Sequence, residues 1–274
     1  MSLYVASINS GSNGNCYYVG NDHEAVLVDV GLTCRETEKR MRRIGLSMDN
    51  VKAIFISHEH GDHISGLEVI ARKYKMPVYI TPSTLQHGRL NLDMQLVKTF
   101  NHGKPIVIGG LSVHPFTKLH DASDPHSFNI TGNGVTIGIF TDIGRPCEQL
   151  ADHFRQCHAA FLEANYDEEM LENGRYPVHL KRRISGDHGH LSNMQALDVF
   201  VTYRPPFMSH LFLAHLSKDN NSPQLVGDLF TRHRGSTKIV VASRYNESEV
   251  YHITCDGKVP IRKSAQALVQ ASLF

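Results

Sequence analysis

The chain has 274 residues, 41% hydrophobic and 20% charged, enough length and apolar content to bury a large core. A formal net charge of +1 excludes a globally basic, polyanion-binding character, so any nucleic-acid surface has to be a local patch. No apolar run approaches the roughly 18 residues of a membrane span, and the start lacks the basic and apolar regions of a signal peptide. Five scattered cysteines without a Cys-x-x-Cys pair read as reduced thiols of a cytoplasmic protein.

Residues 3–8, 16–19 and 25–28 are predicted strands, joined by turns rich in Gly, Asn and Ser. Thr33 caps a helix over 35–44 that Gly45 ends. A short buried strand at 53–56 runs into a histidine-rich segment, and 65–74 is the helix beyond it. Strands continue at 78–80, 96–100, 106–108, 111–115, 127–131 and 135–140. Then come a helix near 148–157, a strand at 159–162, a helix near 193–202, a strand at 210–213, a helix at 223–231 and a strand at 239–242. The pattern is α/β (α+β) with a strand meander in each half and no low-complexity linker, read as one domain over 1–274.

Histidine is the outlier, with 18 copies gathered in polar loops. His58-Glu59-His60-Gly61-Asp62-His63 places three histidines and an aspartate directly after a strand. His58 and His60, at i and i+2, project to the same side of an extended segment, and the turn at Gly61 lets Asp62 and His63 face a second position. Imidazole and carboxylate suit zinc, manganese or iron, and the segment holds no thiolate. A polar loop that is merely rich in histidine is the plain alternative. Against it stand Asp142, a strand-end carboxylate able to bridge two ions, and His120 and His215, each at a strand end. Either histidine alone would read as structural; with the first cluster they complete two ligand sets.

His-x-His-x-Asp-His followed by separate His, Asp and His positions resembles the metallo-β-lactamase fold superfamily over nearly the whole chain. The resemblance implies a four-layer αββα sandwich of two similar halves with two divalent ions at one edge. It implies that His58, His60 and His120 bind one ion, that Asp62, His63 and His215 bind the other, and that Asp142 bridges them. Asp29 would support the metal loop from behind. Four segments are further similar to the YycJ (WalJ) branch, bacterial proteins related to the superfamily's nucleases. They are residues 9–17, Glu163-Ala164-Asn165-Tyr166-Asp167, Gly189-His190-Leu191-Ser192-Asn193 and His215-Leu216-Ser217-Lys218-Asp219-Asn220-Asn221.

Two ions about 3.5–4 Å apart hold a hydroxide between them at neutral pH and bind the oxygens of an in-line displacement. That chemistry serves thioesters, lactones, amides and phosphodiesters alike, so fold and ligands imply hydrolysis without fixing the substrate. Lys181, Arg182 and Arg183 are expected to hold a nucleic-acid backbone through salt-sensitive contacts, unless they line a solvated helix face. Ser192 reads as an N-cap whose neighbouring N–H groups, with Asn193, serve a helix or an anion. Asp62 and His190 are the expected catalytic residues, His190 giving a proton or a hydrogen bond to the leaving oxygen, with His188 as its weaker substitute. A structural role is the alternative for His190. Lys218 and Asn220 are expected substrate contacts; a polar turn is the competing reading, and the favoured one for Asn221.

The function expected is thus a metal-dependent phosphodiesterase on nucleic acid, DNA favoured and exonuclease-like, with a small thioester, lactone or amide hydrolase as runner-up. An oxygen-reducing di-iron protein on this fold would carry Glu where His60 stands and would need a flavin-binding partner domain. A non-catalytic relative would not keep a complete ligand set.

Overall fold

Apolar side chains on both faces of the strands decide the architecture. In β1 (Ser2–Asn9), Leu3 and Val5 point one way and Ala6 and Ile8 the other. The same split separates Tyr17 and Val19 from Cys16 and Tyr18 in β2 (Cys16–Gly20), and Val26 and Val28 from Ala25 and Leu27 in β3 (Ala25–Val28). A sheet apolar on both faces needs cover on both, and here a second sheet supplies one side and helices the other.

The computed structural model describes residues 2–255, in which two seven-stranded sheets form. In the first, β1 to β3 continue into β4 (Val51–Phe55), β5 (Val78–Tyr79) and β6 (Val97–Lys98), with β3 to β6 parallel. The second sheet runs through β7 (Ile106–Ile108), β8 (Leu111–Thr117), β9 (His126–Gly132), β10 (Val135–Phe140), β11 (Ala159–Glu163), β12 (His210–Ala214) and β13 (Lys238–Val241). Its strands β10 to β13 are parallel, and β14 (Tyr251–Thr254) returns to pair with β1 in the first sheet. Val5, Val28, Phe55, Phe128, Phe161 and Phe212 fill the space between the sheets.

Helix α1 (Cys34–Arg43), capped by Thr33, and α3 (Leu67–Tyr74) cover the outside of the first sheet through Met41, Leu67 and Ile70. The helix expected over 65–74 begins two residues later, after Gly66, and a separate single turn, α2 (Gly61–Ile64), precedes it. A Cβ on Gly66 would stand 1.9 Å from the Leu32 carbonyl oxygen, so only glycine lets the two loops close here. Short α4 (Pro82–His87) follows β5. On the second sheet, α5 (Glu148–Phe154), α8 (Asn193–Tyr203) and α9 (Pro223–Thr231) bury Phe154, Val199, Phe200 and Phe230 against Phe140 and Leu162. Between β11 and α8 lie α6 (Glu168–Asn173) and α7 (Val178–Ser185), the latter with no buried residue. Helix, sheet, sheet, helix is the αββα order that the sequence leads one to expect. Helices α4, α6 and α7 and strand β14 are additions to that reading, each short or without a buried stripe to announce it. All five cysteines are free, and no described helix is long and apolar enough to cross a membrane.

Candidate metal centre

Parallel strands place their carboxyl ends along one edge, and the site is built there. Asp29 follows β3, the segment from Ser57 to His63 follows β4, His120 follows β8, Asp142 follows β10, Glu163 ends β11 and His215 follows β12. Three of these residues, Asp29, Asp142 and His215, adopt left-handed backbone with φ of 59°, 56° and 56°. Non-glycine residues reach that region at a cost, and it persists where surrounding structure enforces it, as at binding sites.

The rings converge at this edge. His58, His60 and His120 offer ligand atoms all within 4.8 Å of one another, as do Asp62, His63 and His215. Asp142 lies between the groups: its Oδ2 is 3.3 Å from His63 Nε2, and its Oδ1 is 3.5 Å from His215 Nδ1 and 3.9 Å from His120 Nε2. Asp62 Oδ2 sits 3.4 Å from His63 Nε2 and 3.5 Å from His215 Nε2.

Each buried ring is anchored through Nδ1. His58 bonds Ser57 Oγ at 2.9 Å, His63 donates to Asp29 Oδ2 at 2.7 Å, His120 to the Gly189 carbonyl at 3.0 Å and His215 to Glu163 Oε1 at 2.8 Å. Such bonds fix the tautomer and leave Nε2 for an ion. Asp29 is a hub, because it also accepts from the Ser57 N–H and hydroxyl, both at 2.8 Å. Gly189 is required where it holds His120, since a Cβ would lie 2.1 Å from the Ile184 carbonyl.

The donor set fits divalent metal. Among the described residues, Nε2 of His120, Nε2 of His215 and Oδ2 of Asp142 are buried without a hydrogen-bond partner, which is costly unless another group satisfies them. Burial lowers His58 well below the ordinary histidine value and His120 to about 4, so both stand ready as neutral ligands. On the carboxylate side, burial also works against charge but loses. Asp142, Asp29 and Asp62 raise His63 well above its ordinary value, and Asp142, Asp62 and Glu163 raise His215 to about 10. Burial would raise Asp142, yet His215 and His63 hold it well below the usual carboxylate range.

The remaining expected residues are dispersed. His190, with 19% of its side chain exposed, reaches Glu163 at 2.8 Å and Asp142 at 3.8 Å through Nδ1. Arg183 pairs with Asp121, the residue after His120, at 2.6 Å, and Lys181 donates to the Glu172 carbonyl, while Arg182 is exposed. His188 is exposed, its carbonyl accepting from Asp121. Ser192 is spent internally: it caps α8 in a capping box with Gln195 and donates to Glu168. Asn193 is buried and bonds Asn221, which also ties down the Ala164 and Asn165 carbonyls just ahead of α9. Asn220 is buried over Ser217, and Lys218 is exposed.

Three residues near the centre carry no role in the sequence reading. Glu163 is fully buried and binds both His190 and His215; burial would raise it, but His190 and the hydrogen bonds bring it to about 2. The rule that singles out Asp142, a carboxylate at the carboxyl end of a parallel strand, applies equally to Glu163. Asn15 donates to Asp62 Oδ2 at 3.1 Å from the glycine-rich turn. Lys118 is buried with Nζ on the Thr141 carbonyl, its ammonium lowered from the ordinary value by burial.

Two facing sheets flanked by helices, with a histidine–carboxylate cluster at the strand ends, define a hydrolase of the metallo-β-lactamase fold. Residues 24–215 match the Beta-lactamase superfamily domain, and the chain belongs to that family. Among characterised relatives it is 36% identical to "Exodeoxyribonuclease YycJ" of Bacillus anthracis, over 82% of this chain and 86% of that protein. It is 32% identical to "Exodeoxyribonuclease WalJ" of Streptococcus pneumoniae, over 79% of this chain and 82% of that one. Of solved structures, the metallo-β-lactamase fold protein YhfI from Bacillus subtilis superposes with a TM-score of 0.71 at 14% identity, over 92% of this chain and all of the other. Zn2+-bound PqqB from Methylobacterium extorquens gives 0.69 at 15%, over 90% and 99%. At these identities the structures speak for the fold.

Proposed function

We propose that this chain is a two-metal phosphodiesterase that removes nucleotides from an end of DNA. The observation that carries the reading is Asp142, buried between the His58–His60–His120 group and the Asp62–His63–His215 group, close to both. The exodeoxyribonuclease names of the two relatives support DNA as the substrate. His58, His60 and His120 would hold one ion, Asp62, His63 and His215 the other, and Asp142 both. Zinc or manganese suits this mixed set, and iron is compatible with it. When bound, two such ions supply Lewis acidity and a nucleophile at neutral pH.

The chain's own residues do the rest. Asp29 and Ser57 hold the rings of His58 and His63 in register. Glu163 orients His190, whose Nδ1 is occupied, so Nε2 is the atom left to protonate the departing oxygen. We place the protein in the cytoplasm, consistent with its free thiols.

The test is hydrolysis of end-labelled single- and double-stranded DNA and RNA in manganese, zinc and magnesium, with His60→Ala and Asp142→Asn as inactive controls. Full metal loading without cleavage of any nucleic acid or model diester would sink the reading. Strong turnover of a thioester, lactone or amide at matched metal would replace it with small-molecule hydrolysis.

A further inference from the structure

A cavity of about 250 Å³ opens immediately beyond His215, lined by Leu216, Pro223, Val241 and Ala242 below and by Lys218, Arg244 and Tyr245 at the rim. It is rigidly joined to the metal edge. The Ser10 hydroxyl accepts from the His215 N–H at 2.8 Å, and the Ser10 N–H donates to the Ser243 carbonyl at 3.1 Å. Asn13 donates to the Arg244 carbonyl at 2.8 Å, so the glycine-rich turn fixes the rim as well as the ligand.

The lining has the chemistry of a nucleotide site. No acid lines it, whereas the cavity between α6 and α7 carries Glu168 and Glu172. Two cations stand in the lining among apolar side chains, Arg244 also donating to the Leu216 carbonyl at 3.4 Å, and Tyr245 is 64% exposed beside them. An apolar slot with an aromatic ring takes the face of a base, and cations take its phosphate. The other polar side chains in the wall are already engaged. Ser217 Oγ accepts from Asn220, Ser243 Oγ from the Tyr245 and Asn246 N–H groups, and Asn221 bonds Ala164, Asn165 and Asn193. The one amide in the wall, Asn221, is saturated, and each serine keeps at most a single O–H to give, so no two-point fork is left to read a base edge and stacking is the main contact.

We infer that this cavity receives the terminal base of the strand being cut, stacked on Tyr245 with its non-scissile end phosphate toward Lys218 and Arg244, whichever base it is. A terminal base reaches such a slot by fraying, while an internal one would have to be pulled out of the stack against its neighbours. The inference rests on the phosphodiesterase reading and names its substrate subsite.

Affinity for manganese-bound enzyme is measured with duplexes ending in a normal nucleotide or in an abasic residue, the terminal linkage made uncleavable. The normal end is expected to bind about tenfold tighter, at the lower end of base–aromatic stacking, and alike for all four bases. Tyr245→Ala should bind both duplexes equally, and Tyr245→Phe should keep the preference. No preference in the unmodified protein, a preference that survives Tyr245→Ala, or strong selection of one base would each overturn the inference. Cleavage is followed in parallel on normal DNA: cleavage without the preference removes the cavity's role and leaves the phosphodiesterase standing, and the preference without cleavage does the reverse.

Discussion

Glu163 and His190 are joined at 2.8 Å between Oε1 and Nδ1, and the same oxygen lies 2.8 Å from Nδ1 of His215. One buried carboxylate thereby sets both a proposed metal ligand, His215, and the proposed proton donor, His190. Its other oxygen is held by the N–H groups of Ile143 and Leu191, so it has no freedom to turn away. Glu163→Gln keeps the volume and presents an amide N–H where an acceptor is needed. We expect kcat to fall about a hundredfold, the scale of a positioned proton donor, with a flattened basic limb in the pH profile. Unchanged kcat and pH profile would show that His190 needs no orienting partner.

His215 supplies the pH prediction. Burial opposes its charge, but Asp142, the nearby Asp62 carboxylate and the hydrogen bond to Glu163 raise it from 6.5 to about 10. In the metal-free protein this raised value contributes stability that is complete below pH 6.5 and fades as pH climbs toward about 10. An ion at Nε2 must displace that proton, so metal affinity should rise across the same window and loading at pH 7 should release protons. Calorimetric titration in buffers of different ionisation enthalpy counts them. A proton count of zero would contradict the assignment.

How much of this was legible beforehand follows physical lines. The apolar strands and the well-capped helices α1 and α9 carry period and cap signals in the sequence, and the structure places them within a residue or two. The proposed ligands stood out because side chains in one short segment share a face, and because a charged group at the end of a buried strand is costly unless a partner or an ion meets it. Glu163 was passed over, since its partners His190 and His215 are 27 and 52 residues away and meet only when β11 and β12 pair. Ser192 and Asn193 read alike as anion ligands or as caps; only the fold shows Glu168, Gln195 and Asn221 already engaging them.

Asp29 is the next test, because it touches no proposed ligand atom but holds His63 at 2.7 Å and Ser57 through two further bonds. Asp29→Asn should preserve the left-handed turn, which asparagine tolerates, while losing the charge that orients His63. Metal affinity is expected to drop about 10–100-fold, the usual effect of removing such a partner. Competition with a fluorescent chelator measures it, and an affinity equal to the unmodified protein would show that His63 holds its orientation unaided.

The basic helix α7 offers the sharpest split between two readings of the same residues. Lys181 is occupied by the Glu172 carbonyl and Arg183 by Asp121, whereas Arg182 is exposed and its side chain makes neither hydrogen bond nor ion pair among the described residues. If α7 tracks the DNA backbone, Arg182→Ala should reduce the slope of log affinity against log salt by about 0.9, the value for one phosphate contact on duplex DNA. Arg183→Ala should do so less, because its charge is already spent on Asp121. Lys181→Ala should leave the slope alone. Binding measured from low to moderate salt decides it: slopes equal to that of the unmodified protein in all three variants would make α7 a solvated face, and the phosphate grip would then have to come from Lys218 and Arg244.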